Sequence, residues 1–495
     1  MNKFMNGLTN ATNFTYTENG AVTHSTTKSD LLDMFAMGAA MRKRSDADCI
    51  LMFRKAFAEN PVYALKCLFY IRDIRGGQGE RRFFRVCMKD LATYNIDAAK
   101  RNLEHIPVYG RWDDLYIFVG TPLENDAFSF MKRQLALDLT CKTPSLLAKW
   151  LKSINTSSNE SRDLAVKTRL AFGMTAKQYR KTLSALRAKI NIVERLMSAN
   201  KWDLIEFDKI PSKAGMIYKN AFARHDIERM KNENVQTYAD FAKDETKKVN
   251  AKTLYPYECV EEATKNFRTD LNYTNRLMTN KYWNNLEDYF KGATFNGLAV
   301  VDTSASMRGT PLNVAISLGL YCAEKANGPF AGHYVSFSSR PQLIKTEGID
   351  FVDKVERIWR TNLCENTNIE ATFDLLLNTA IKNKCSQDDL PQNIIVISDM
   401  EFDSARRSDW RMATTSKETL MEGIARKWAA AGYKVPSLIF WNVDARQNNI
   451  PMTVKNGISF VSGFSPSIFE TIMSGKSAFD LMYEVLNKER YSVIY

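Results

Sequence analysis

Hydrophobic positions follow one period up to about residue 290 and another beyond it. From Ser29 onward, apolar residues recur three and four apart, the spacing of helices with one buried face. Ser45-Asp46-Ala47-Asp48 opens a helix carrying Ile50, Leu51, Phe53 and Phe57 in the manner of a capping box. Asn60-Pro61 stops it, and Pro61 starts the next helix, with Leu65, Leu68, Phe69 and Ile71. Arg75-Gly76-Gly77-Gln78-Gly79 reads as a helix–helix turn. Its glycines suggest a phosphate loop, but no strand precedes them and no G-K-[ST] follows. A third helix carries Phe83, Phe84, Val86, Cys87 and Leu91, and further helical stretches run to 281–290, one of them over 175–199. Short helices joined by tight turns are the material of α-solenoids, here without a crisp repeat. Residues 1–28 are polar, rich in Asn and Thr, and read as a flexible arm.

From about residue 293 the pattern alternates short apolar runs with amphipathic helices, as in a parallel, doubly wound sheet. The strands fall at Leu298–Val301, His333–Phe337 followed by Gln342–Lys345, Ile394–Ile397, Ser437–Trp441 and Ile458–Val461. The predicted architecture is therefore multidomain: an arm over 1–28, an all-α region over 29–292, and an α/β doubly wound, Rossmann-like domain over 293–495.

The first strand runs into Asp302-Thr303-Ser304-Ala305-Ser306, and Gly309 and Pro311 then open a helix. A carboxylate and two hydroxyls thus leave the carboxyl end of a strand, where open α/β sheets place ligands. Taken alone, the pentapeptide is equally a helix N-cap. Two further elements follow in order: Thr367 within ENTNIEATFDLLL, and Asp399 ending the strand NIIVISDMEF. Together they resemble the metal-ion-dependent adhesion site (MIDAS) of von Willebrand factor A (vWA) domains. The resemblance implies a divalent metal held by Ser304, Ser306 and Thr367, with Asp302 and Asp399 acting largely through water. It leaves one coordination position for an acidic group on a partner protein. Hard oxygen donors suit Mg²⁺ first, with Mn²⁺ or Ca²⁺ as alternatives. Glu401 and Asp403 add two acids nearby, either of which could help the metal or simply be solvated.

Composition narrows the partners. No run approaches the roughly 18 apolar residues of a membrane span, and the first residues lack a signal-peptide core. The eight cysteines are scattered, with no C-x-x-C spacing, which fits reduced thiols and a cytoplasmic location. The net charge of +12 is concentrated: residues 148–220 hold fifteen Lys/Arg and six Asp/Glu. On a helix from Thr175, Tyr179, Leu183, Leu186, Ile190, Val193 and Met197 share one side, with Lys177, Arg180, Lys181, Arg187 and Arg195 roughly opposite. Such a face is either solvated or in contact with phosphates. Lys149, Lys152, Lys201 and Lys213 extend it, and Trp150 and Trp202 lie among them as core residues or base-stacking platforms. In Gly110-Arg111-Trp112-Asp113-Asp114, the acids would complement a helix dipole and Trp112 would anchor in the core.

The stretches IRDIRGGQGERR, YGRWDDL, LLAKWLKSIN, YRKTLSALR, VVDTSASM, VISDMEFD and FVSGFSP together resemble an uncharacterised Ro-like family of viruses, fungi and plants. The wider architecture resembles the Ro autoantigen, or TROVE, proteins, in which HEAT-like repeats form a ring that a vWA domain helps close. That resemblance implies binding of structured RNA with a single-stranded end on the basic helices, at Lys149, Lys152, Lys177, Arg180, Lys181, Arg187, Lys201 and Lys213. The rival expectation is a metal-dependent interaction or assembly module, viral-structural or partnered with an AAA+ ATPase, with no nucleic-acid role. An enzyme is not expected. His24, His105, His225 and His333 stand in no triad or zinc spacing, and Ser304 and Ser306 lack a G-x-S-x-G elbow.

Overall fold

The computed structural model describes residues 13–190, 192–232, 234–265, 273–290, 295–337, 340–361, 368–403, 419–472 and 476–495. Over these the chain is helix-rich to residue 290 and then forms a mixed six-stranded sheet flanked by helices. Helix starts follow the capping chemistry of the sequence. The Ser45 side chain accepts from Asp48 N–H, Asn60 accepts from Tyr63 N–H with Pro61 behind it, and Thr175 with Gln178 forms a capping box.

Two short strands, β1 (Phe14–Tyr16) and β2 (Val22–His24), pair antiparallel near the start of the described chain. Residues 13–28 are therefore not a free arm: His24 continues the pairing onto Ile450, and Thr17 Oγ1 donates to the Phe402 carbonyl at 2.6 Å. The helix expected over 175–199 is also divided, into Ala176–Lys189 and Val193–Ser198. Ile190 caps the first piece and Ile192 turns extended, as β-branched residues tolerate readily.

The sheet order is β5-β4-β3-β6-β7-β8, with β3 Gly297–Asp302, β4 His333–Phe337, β5 Leu343–Lys345, β6 Asn393–Ser398, β7 Ser437–Asn442 and β8 Ile458–Ser462. All neighbours are parallel except the β4–β5 edge. The chain leaves β3 toward β4, returns to β6 on the other side, and continues outward. The crevice between the carboxyl ends of β3 and β6 is thus the topological switch point.

The helical half meets this domain at both ends. At its start, Ser462 Oγ at the end of β8 donates to the Phe35 carbonyl and accepts from Ala39 N–H, tying down helix Asp30–Met37. At its end, helices Pro256–Lys265 and Tyr273–Asn284 pack on Thr310–Lys325 and Phe351–Thr361, and Arg276 forms a two-point ion pair with Asp350. The start and end also touch each other: Gly79, at φ +64°, leaves room for the Tyr255 hydroxyl that a Cβ would strike. Gln78 is buried beside it, donating to Tyr70 Oη and accepting from Ser465 N–H. One continuous apolar core spans both halves.

Candidate functional site

At the switch point, β3 delivers Asp302 and β6 delivers Ser398 and Asp399, all buried. Asp302 Oδ1 accepts from Ser304 N–H at 2.9 Å and Oδ2 from Ser398 Oγ at 2.6 Å. The Ser304 and Ser306 hydroxyls lie 2.9 Å apart, half open to solvent at Ser306. The motif's turn therefore does what its residue types allow. The aspartate braces the loop while the two hydroxyls converge.

The β6 loop turns sharply. Met400 takes φ +65°, a conformation rare outside glycine, and its N–H bonds Ser398 Oγ at 3.0 Å. Asp399 Oδ1 accepts from Glu401 N–H at 3.1 Å, and its Oδ2 takes Arg446 Nη2 at 2.6 Å. Glu401, read from the sequence as one of two nearby acids, is buried with Asn449 Nδ2 at 2.8 Å; burial foremost, with Glu18 and Asp399 close by, raises its carboxyl to about 7. Burial, then the charge of Asp399, pushes Asp302 well above the ordinary carboxylate range. Thr367 lies outside the described residues.

These residues fit a hard divalent cation. The donors are all oxygen, two hydroxyls converge, and a buried acid with no ion pair among the described residues stands behind them. Among the described residues no group of three or more His, Cys, Asp or Glu converges as a metal site. Arg446, Glu18, Ser398 and Asn449 were not singled out in the sequence. Arg446 and Asn449 sit in a loop after β7 without periodic pattern, and only pairing with distant partners reveals them.

The basic region sorts into two groups. Lys177, Arg180, Lys181 and Lys201 are exposed, and none has an ion pair among the described residues. The other four hold internal contacts. Arg187 donates to the Ala148 and Leu151 carbonyls and to Ser153 Oγ at 2.9–3.0 Å, stapling the preceding loop. Lys149 faces Glu194 at 3.8 Å, Lys152 lies over the Tyr116 ring, and Lys213 pairs with Glu258. The tryptophans are occupied too: Trp202 is buried and stacked on His225, and Trp150 lies under Arg111. An open groove of about 440 Å³ runs between Ser153–Asn155 and the two pieces of the 175–199 stretch, with Arg180, Arg187 and Arg195 over an apolar floor of Ile154, Leu183 and Ile192.

Trp112 is half-buried, packed against the core and stacked on Phe130. Asp114 does more than face a helix dipole: it is buried among Arg72 (2.6 Å), Arg85 (2.6 Å) and the Arg111 N–H (2.9 Å).

Residues 17–127 and 138–292 match a family model described as a domain of unknown function (DUF2828), and residues 296–492 match a second domain of unknown function (DUF7788). An uncharacterized protein (L728) of Acanthamoeba polyphaga mimivirus is 30% identical over 503 residues, spanning 94% of this chain and 85% of the relative. That relative fits the expected uncharacterised family with viral members. Among solved structures, the RO (RSR) protein of Deinococcus radiodurans aligns over 90% of this chain and 92% of its own at 11% identity, with a TM-score of 0.33. Among the described residues no helix is long and apolar enough to cross a membrane.

Proposed function

This chain belongs to the family described as a domain of unknown function (DUF2828), and from that premise we propose that it is a non-catalytic RNA-binding protein with a metal-dependent docking site for an acidic partner. The helix-rich half carries the RNA, and the switch-point cradle carries Mg²⁺ or a similar cation. The observation that carries the RNA reading is the exposed trio Lys177, Arg180 and Lys181, of which Arg180 lines a groove whose apolar floor could take an unstacked base. Cations without internal partners are the ones free to neutralise phosphates. On this reading Arg187 shapes the groove, and Lys149, Lys152 and Lys213 contribute less than their charge suggests.

The metal half of the reading rests on Asp302, buried with no ion pair among the described residues and next to two converging hydroxyls. When bound, the metal supplies Lewis acidity toward a partner's carboxylate; Asp302 orients Ser304, and Ser398 fixes Asp302. A purely protein-docking module is the second reading, favoured by the four cations that the fold has already engaged. No catalytic role is proposed: among the described residues, His225 is stacked on Trp202 and His24 faces Glu422 rather than a serine or cysteine.

The deciding experiment titrates a labelled stem-loop RNA with a single-stranded 3′ tail at several salt concentrations. Sub-micromolar binding that weakens steeply with salt is expected. No binding at low salt would leave the docking reading alone.

A further inference from the structure

The loop after β6, beside the cradle, is held by a segment that is remote in sequence. At the tip of the β1–β2 hairpin, Thr17 Oγ1 bonds the Phe402 carbonyl, Asn19 Nδ2 the Glu401 carbonyl, and Glu18 N–H the Glu401 carboxylate, each at 2.6 Å. Gly20 pairs with Asp403. Strands of three residues do not hold a hairpin unaided, so these contacts fix its position. They also place the Glu18 carboxylate 2.7 Å from Arg446 Nη1, while Nη2 of the same guanidinium bonds Asp399. Arg446 thus joins an acid of the hairpin to an acid of the cradle, and its Nε is buried without a hydrogen-bond partner among the described residues.

We propose that Glu18 is a built-in competitor for the acidic partner: it holds Arg446 in the resting protein, and an incoming Asp or Glu side chain displaces it. The proposal rests on the reading of Asp302, Ser304 and Ser306 as a cradle that takes an acidic group. Exchange of one carboxylate for another leaves the local charge unchanged, so the obstacle to the partner is the tether. A tethered group acts at the high effective concentration of its linker, and the apparent affinity of any competitor falls by the fraction of time the site is closed. Glu18 is partly exposed, so its removal leaves the core untouched.

The test uses the full chain with Mg²⁺ and a fluorescent oligoglutamate peptide, read by anisotropy, with hydrogen exchange of residues 13–24 as a second readout. Glu18→Gln should bind the peptide at least about fivefold more tightly than wild type, the low end of ordinary coupling. Thr17→Ala, which loosens the hairpin without changing charge, should shift affinity the same way. Saturating peptide should speed exchange in the wild-type hairpin. Equal affinity in wild type and Glu18→Gln, or a hairpin whose exchange ignores the peptide, overturns the proposal. Absence of binding to wild type and both variants overturns the acidic-partner reading beneath it.

Discussion

Asp114 in the helical half and Asp302 at the switch point are equally shielded from water, yet one is met by two guanidiniums and the other by a hydroxyl and an amide. Burial alone would raise both carboxyls. At Asp114 the charges of Arg72 and Arg85 outweigh burial and hold the group below the usual carboxylate range. At Asp302 nothing outweighs it, and Asp399 adds to it. A buried acid balanced from within belongs to the scaffold. A buried acid left unbalanced beside open hydroxyls is poised for something from outside, because uncompensated charge in a low-dielectric site is costly to maintain. The same contrast divides the basic residues: Arg187 is bound to carbonyls and builds structure, whereas Lys177, Arg180 and Lys181 face solvent.

The contrast can be broken most forcefully at Asp114. Asp114→Asn strands Arg72 in the core and should cost about 3–5 kcal/mol in urea unfolding. Asp302→Asn in metal-free protein should cost less than half as much, and equal losses would erase the distinction. Next in size, Mg²⁺ at a hundredfold excess over its Kd should stabilise the wild type by about 2.7 kcal/mol. Asp302→Ala should abolish that gain, and a thermal shift that survives the change would sink the metal assignment. Third, reversing Lys177, Arg180 and Lys181 to Glu should weaken RNA binding and flatten its salt dependence, by about 0.7 in slope for each single-strand phosphate that is no longer neutralised. Unchanged binding would move the interface elsewhere. The smallest effect is on pH. Because the folded pKa of Asp114 is lowered, its contribution is present above about pH 4 and is lost as pH falls through the folded value. The stability gap between wild type and Asp114→Asn should therefore narrow in acid, and a gap constant to low pH would mean that Asp114 is not the charged partner of Arg72.

Local chemistry was legible in the sequence and long-range pairing was not. The change of period near residue 293, the capped helix starts, and the positions of Asp302 and Asp399 at strand ends all follow from neighbours in the chain. Even the stretches that carry the Ro-like resemblance meet in pairs. FVSGFSP packs on the IRDIRGGQGERR turn through Gln78 and Ser465, and VVDTSASM meets VISDMEFD through Asp302 and Ser398. What the helical wheel could not say is what lies beside a face. It set Arg187 among the outward cations, but the Ala148–Ser153 loop lies against it. The three-residue strands over 14–24 are too short to impose a period, so the Asn- and Thr-rich texture read as an arm. Arg446 had no local signature at all, because its meaning comes from Glu18 and Asp399.

The bond from Ser462 to Phe35 joins residues 427 positions apart. On a ribosome adding about 5–20 residues each second, helix Asp30–Met37 emerges roughly 20–85 s before the strand edge that will cover it. During that interval its apolar face, with Leu31, Leu32, Phe35 and Met37, has no lasting partner on the sheet side. The route to this fold thus includes a waiting period set by the speed of synthesis, during which that face is uncovered on the sheet side, and slower translation lengthens the wait.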